Sequence, residues 1–423
     1  MSIVFLLTAF ASLSLQQPAP VVTSPADCLR VVEQFRSKKQ AEAPRPLTSE
    51  ILRKIDAEKS AMAKKCAAGF ELESLPETEL PSLIRLYSEA GQSDLARSAV
   101  EHGLTTFKGS TRAGLLPIAI TTMLRIEPKS PERNARLEQL VDELDALPGA
   151  TLDQKFSAHS ALNGYYRADD VDAGILKHAN WMMASARAMT PEQRKRYGHQ
   201  LASAYQNAAE ALAGQGQNDE ALALLRRAQT ELADIADTAS SFDRSIERYM
   251  LVGTAAAPIK APVWLNAPAG TTEIPMTGQV TLLEFTAHWC GPCRESYPGI
   301  NRLRAKYEPQ GFRVVLATQL YGYFGTEKNL DPAAEIARDR EYFAKHDMLV
   351  PVAVGGKTPP PVPQPDGTRK FERNPNDQNY KVGGIPQIHL IDRKGRIRLI
   401  MIGYDDANEP KLAEMIEKLL AEK

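Results

Sequence analysis

Cysteine is scarce in this chain, with four residues in 423. Cys28 and Cys66 stand alone and far apart, and the seven histidines form no H-x-x-x-H pair and no cluster. A structural zinc site needs four such ligands, and no second pair is offered to join the remaining two cysteines. An excess of charge of one sign is missing too: 51 Lys and Arg meet 52 Asp and Glu, for a net charge of -1. Nothing electrostatic therefore points to nucleic acid or to an anionic membrane surface. The apolar run from Ile3 to Leu15 falls short of the ~20 residues that span a bilayer. Small molecules and proteins remain as partners. The 43% hydrophobic and 24% charged content is that of a soluble globular protein, with length for two or three domains.

The short apolar run reads as a secretory signal peptide over residues 1–16. Ala9-Phe10-Ala11 offers a small-x-small cleavage site, and the polar Gln16-Gln17-Pro18-Ala19-Pro20 follows. No basic residue precedes the run, the first being Arg30. Export to the periplasm or cell envelope is the expectation, with membrane attachment only if the segment stays uncleaved. Asp27 before Cys28 fits a lipidated cysteine poorly. In an oxidising compartment Cys28 and Cys66 are expected to form a structural disulfide; the alternative is two buried free thiols.

Residues 27–252 read as an all-helical domain of about ten helices with no convincing strand. Ser130-Pro131 and Thr190-Pro191 mark helix starts, with proline at the first helical position. Gly91-Gln92-Ser93-Asp94-Leu95-Ala96 and Gly216-Gln217-Asn218-Asp219-Glu220-Ala221 are alike, and both look like turns of tetratricopeptide-type hairpins. The spacing is irregular, so a plain helical bundle is the other reading. His102, His159, His178 and His199 are isolated and read as surface or satisfied core residues.

Pro258, Pro262 and Pro268 break the helical pattern, so residues 253–270 read as a stiff linker. Beyond it come five apolar, β-branched runs: Val280 to Thr286, Phe312 to Thr318, Leu349 to Val354, Gln387 to Ile391 and Ile397 to Ile402. They alternate with three helical segments from Cys290, Asp331 and Glu409, in the order β-α-β-α-β-β-α. The whole chain is thus expected to be α followed by α/β.

Cys290 and Cys293 sit where the first of these strands passes into a helix. A cysteine at a helix start meets unpaired backbone N–H groups that favour its thiolate, which makes Cys290 the attacking sulfur. Cys293, one turn on, is within disulfide reach and faces inward. C-x-x-C beside a βαβ pattern is a redox pair more readily than half a zinc site. Glu284 lies in the Leu-Leu-Glu-Phe run of the preceding strand, where a carboxylate is expected to be buried; proton transfer and a structural role are both open.

Trp289-Cys290-Gly291-Pro292-Cys293 resembles the thioredoxin active site, and Cys290 through Pro298 resembles the TlpA/ResA-like branch of that family. Gly383-Gly384-Ile385-Pro386-Gln387 resembles the family's cis-proline loop, although Gln387 replaces the usual threonine. Ala261 to Asn266 resembles the hairpin that this branch adds ahead of its core. The resemblance implies a thioredoxin-like domain over residues 271–423, with Cys290, Cys293 and Glu284 as the reacting and proton-handling groups. Trp289, Gly291, Pro292, Ile385 and Pro386 would contact substrate. It also implies no cofactor, disulfide-containing protein substrates and an unidentified dithiol electron donor. A thiol-disulfide oxidoreductase of the cell envelope, acting as a disulfide reductase on proteins, is the first expectation; a helical interaction scaffold whose thioredoxin module serves partner recognition is the second. The peroxidatic motif of peroxiredoxins is absent. Two insertions stand out, Leu320 to Gly325 and the proline-rich Gly355 to Asn379, the latter read as a substrate rim or a solvated loop.

Overall fold

The computed structural model describes residues 23–43, 49–168, 171–235, 239–359, 362–363, 369–370, 372–404 and 409–422. The expected signal segment, 1–16, lies outside them. The chain divides into two compact units, Met1–Ala158 and His159–Lys423.

The first unit holds α1 (Pro25–Glu42), α2 (Ser49–Ala67), α3 (Leu80–Glu89), α4 (Ser93–Thr106), α5 (Gly109–Ile126), α6 (Pro131–Ala146) and the start of α7 (Leu152–Ala168). Ser24 caps α1 by accepting from the Asp27 N–H at 3.2 Å, and Ser130 caps α6 by accepting from Arg133 at 3.1 Å. Each is followed by proline at the first helical position, where a missing N–H costs nothing. Leu83, Ile84, Val100, Phe107 and Leu115 form a shared core with Cys28. Cys28 and Cys66 are paired as a disulfide with Cα atoms 6.2 Å apart, tying α1 to α2 across 38 residues. Cys66→Ala is expected to lower the unfolding free energy by about 3 to 4 kcal/mol on the loop-entropy model. Urea denaturation of oxidised wild type and variant measures it, and equal midpoints would refute it.

In the second unit, α8 (Asp172–Ser185), α9 (Pro191–Gly214), α10 (Asn218–Glu231) and α11 (Ala239–Tyr249) follow the end of α7. Thr190 and Gln193 cap α9 reciprocally, as a capping box does. Gly91 and Gly216 have φ of +70° and +79°, and the residue after each donates to a carbonyl five positions back, Gln92 to Tyr87 and Gln217 to Leu212, both at 2.9 Å. The two similar motifs are thus the same αL helix stop. His159 and His178, separate in the sequence, meet here: their Nδ1 atoms lie 2.8 Å apart and both are buried. The Trp181 ring stacks on His159 with centroids 3.9 Å apart.

The sheet follows. A two-stranded ribbon pairs β1 (Ile259–Lys260) with β3 (Glu273–Ile274), while β2 (Val263–Leu265), β4 (Val280–Phe285), β5 (Phe312–Gln319), β8 (Val352–Gly355), β11 (Gln387–Ile391) and β12 (Ile397–Ile402) build one sheet. Two short ribbons follow, β6 (Tyr323–Phe324) with β7 (Glu327–Lys328), which starts in the first insertion and ends beyond it, and β9 (Val362–Pro363) with β10 (Arg369–Lys370), within the second. The sheet order is β12-β11-β4-β5-β8-β2, with β4, β5 and β8 parallel and the outer strands antiparallel. Helices α12 (Gly291–Tyr307), α13 (Pro332–Lys345), α14 (Pro375–Asn379) and α15 (Glu409–Ala421) complete the unit. All six residues of β4 are buried, as expected for a central parallel strand covered on both faces. The α and α/β parts, and this strand order, form a helical region followed by a thioredoxin-like mixed sheet. Helix α12 continues past Pro298 to Tyr307. The stretch expected to resemble a hairpin, Ala261 to Asn266, holds β2, which pairs with β8 as the sheet's edge strand; three residues are too few for a periodic signal to show that pairing.

Candidate active site

Strand β4 ends at Phe285 and the chain turns through Thr286 to Trp289 into α12. Cys290 is the N-cap of that helix, and its Sγ accepts from the Cys293 N–H at 3.2 Å. The two sulfurs are bonded, with Cα atoms 5.3 Å apart. Cys290 is 4% exposed and Cys293 fully buried, whereas Trp289 is half exposed. The helix N-terminus, with Pro292 in its first turn, leaves N–H groups facing Cys290 and favours negative charge there. Ala287, Tyr321 and Ile385 pack around the two sulfurs.

Glu284 lies beneath this turn, fully buried. Burial pushes its carboxyl up to about 8, because no cation is at hand to compensate the desolvated charge. Ser296 Oγ stands 3.3 Å from Glu284 Oε1 and 2.7 Å from the Cys293 carbonyl. One hydroxyl proton cannot serve both oxygens. With the shorter bond going to the carbonyl, a protonated Glu284 is the natural donor to Ser296. Ser296 therefore links the acid to the backbone of Cys293. Sequence reasoning missed Ser296, although its place three residues after Cys293 on one helix was a readable signal.

The Ile385–Pro386 peptide is cis, and it leads directly into β11, where Gln387 pairs with Phe285 and Ile388 with Glu284. Gln387, the departure from the usual threonine, is fully buried. Its side-chain oxygen accepts from the Gly383 N–H at 3.0 Å, and its Nε2 donates to the Tyr380 carbonyl at 3.1 Å. The same amide stands 2.8 Å from His389 Nε2. Burial, aided by the charge of Arg248, holds His389 down to about 3, so the ring is neutral and can accept that bond. The glutamine thus pins the loop that carries Pro386. Arg248 of α11 braces it from behind: the guanidinium donates to the Lys381 carbonyl at 3.3 Å and lies so close to Gly383 that a Cβ there would collide with it.

Tyr321 is set by a carboxylate that sequence reasoning also missed. Glu335, in the first turn of α13 and buried, accepts from the N–H groups of Tyr321 and Gly322 at 2.6 and 2.7 Å. The Tyr321 ring meets Trp289 edge to face at 5.6 Å and His288 at 5.5 Å. Burial lowers the pKa of His288, which stacks on Phe324 with centroids 4.6 Å apart. The structure therefore gathers Cys290, Cys293, Glu284, Trp289, Gly291, Pro292, Ile385 and Pro386 at the end of β4. Cys28 and Cys66 belong to the other unit. Among the described residues no group of three or more His, Cys, Asp or Glu could hold a metal ion.

Residues in this part of the chain are 24% identical over 128 residues to the thiol-disulfide oxidoreductase ResA of Bacillus cereus, covering 30% of this chain and 57% of that protein. They are 23% identical over 126 residues to the thioredoxin-like protein YneN of Bacillus subtilis, covering 30% and 58%. This part of the chain is similar to the TlpA/ResA-like thioredoxins. The chain spans about half the length of the curated relatives it matches, and no family model matches it. Among solved structures, this thioredoxin domain is similar to StoA of Bacillus subtilis, at 19% identity and a TM-score of 0.25, covering 37% of this chain and 99% of that one. It is similar also to a thiol:disulfide interchange protein of Chlorobium tepidum, at 16% identity and a TM-score of 0.26, covering 39% and 99%.

Proposed function

We propose that this protein is a thiol-disulfide oxidoreductase of the cell envelope that reduces protein disulfides through the Cys290–Cys293 pair. The supporting observation is a helix-capping cysteine over a buried partner, beside a cis-proline and above a buried glutamate whose carboxyl is pushed up to about 8. In the reduced protein the Cys290 thiolate attacks one sulfur of a substrate disulfide. A mixed disulfide forms, and the second substrate sulfur leaves and takes up a proton. Cys293 then gives its proton to Glu284 in its ionised form and attacks Cys290 Sγ, expelling the first substrate sulfur as a thiolate that takes up a proton in turn. The substrate gains two electrons and the enzyme keeps a disulfide, which a dithiol donor must reduce before the next cycle.

The envelope location rests on the 1–16 segment and on the ResA resemblance. Among the described residues no helix is long and apolar enough to cross a membrane. We place the domain boundary at Gly253, where the chain leaves the helices, although the helices from His159 onward share one compact unit with the sheet; the helical region then serves as a tetratricopeptide-like element that positions substrate.

Insulin reduction driven by dithiothreitol tests the activity. The wild type is expected to accelerate precipitation of the reduced chains, and Cys290→Ala to match the reductant alone. Equal rates for wild type and Cys290→Ala would refute the proposal.

A further inference from the structure

The side of the active site that holds Pro386 does not face open solvent. A cleft of about 450 Å³ lies there, with Pro292, Ile385, Pro386 and the end of β12 on one side. The other side is built by helices α7, α8 and α9, through Arg167, Ile175, Asn207, Glu210 and Gly214. All of these residues belong to one compact unit. The helical side is held in place at both ends of the cleft. Lys411 of α15 pairs with Asp172 of α8 at 3.0 Å, and Arg248 of α11 grips the loop before Pro386.

The lining is mixed in character. Arg167 and Glu210 pair at 2.9 Å with their side chains 43% and 26% exposed. Asn207 is fixed by donating to Asn163 Oδ1 at 2.7 Å, and Glu295 stands exposed on the α12 side. At the cleft's inner edge Ile385 makes no backbone hydrogen bond to the described residues, while the Pro386 carbonyl accepts from Gly403 at 2.9 Å. An unpaired N–H and C=O beside a chain of polar and apolar side chains is what an extended strand needs for pairing and side-chain readout.

We infer that α7, α8 and α9 form the second wall of the substrate cleft, which takes a cysteine-bearing polypeptide segment in extended form and not a folded surface. The inference rests on the activity proposed above. A folded substrate cannot lay a convex face on Pro386 while α8 and α9 stand over it, but a single strand can enter between the walls. The volume lies in the range of clefts that enclose a ligand, about 300 to 1,000 Å³. The helical region is then part of the specificity apparatus.

Gly214 gives the test, because a Cβ added there meets nothing within 4 Å. Pre-reduced full-length protein is mixed with cystamine or with the disulfide-linked dimer of an unstructured cysteine peptide. Oxidation is followed by the fluorescence of Trp289 beside Cys290. In Gly214→Trp, which fills the cleft, the ratio of peptide to cystamine rate constants is expected to fall about tenfold or more. Should that chain not fold, Arg167→Ala decides, since its half-exposed side chain leaves no buried gap, and about a threefold fall is expected. An unchanged ratio in a wild type that reacts with both disulfides overturns the inference and leaves the activity standing. A wild type that reacts with neither overturns both.

Discussion

Glu284→Gln is expected to slow resolution of the mixed disulfide by about 10- to 1,000-fold, the range that a positioned acid-base group supplies. Cys293 is fully buried, so the proton it sheds must be taken up inside a low-dielectric site. A carboxyl raised to about 8 lies close to a thiol's ordinary value of roughly 8.5, so proton exchange between the two is nearly balanced. The amide keeps the shape and the Ser296 contact but cannot titrate. The first attack by Cys290, which sits at the helix N-terminus and needs no such base, should change little. In the wild type the resolution rate is expected to rise as pH passes through about 8, where the acid ionises; in the variant that rise should be lost, leaving only the thiol's own titration. Stopped-flow measurement across this range reads both effects. An unaltered resolution rate would leave Glu284 a structural residue.

Stability moves the other way. The folded carboxyl ionises near 8 and the unfolded one near 4.5, so between these values the folded chain holds the extra proton. Stability attributable to Glu284 is therefore lost as pH rises through that window. Glu284→Gln is expected to be the more stable protein, by a margin that grows from pH ~5 to pH ~8 and reaches a few kcal/mol.

Cys293→Ala is expected to abolish catalytic turnover, with a loss of at least about a hundredfold, while leaving the first step intact. Cys290 keeps its place as N-cap and its helix-terminal N–H groups, so its thiolate still forms and attacks. No neighbouring sulfur then remains to break the mixed disulfide. The enzyme stalls as a covalent adduct, released only by external thiol.

Much of this site was legible before any coordinates. The C-x-x-C spacing, its place between a β-branched run and a helix, and the acid six residues upstream all lie within a dozen residues, where periodicity and capping rules act. The five strands were readable for the same reason, since each is four residues or longer and rich in Val, Ile and Leu. What escaped depended on distant partners. Glu335 reaches back thirteen and fourteen residues to Gly322 and Tyr321, and Arg248 reaches Lys381 across 133 residues. His159 and His178 looked isolated because helical packing, with no local pattern, brings them together. Gln387 was noticed as a departure, but its role in pinning the loop needed the carbonyl of Tyr380 and the ring of His389 in view.

The most direct measurement is peptide mapping of the adduct formed when reduced Cys293→Ala meets a disulfide-bearing protein. The account predicts a mixed disulfide on Cys290 alone, released by dithiothreitol and absent from Cys290→Ala/Cys293→Ala. No adduct with Cys290 free and reduced, or attachment elsewhere at the same rate, would contradict it.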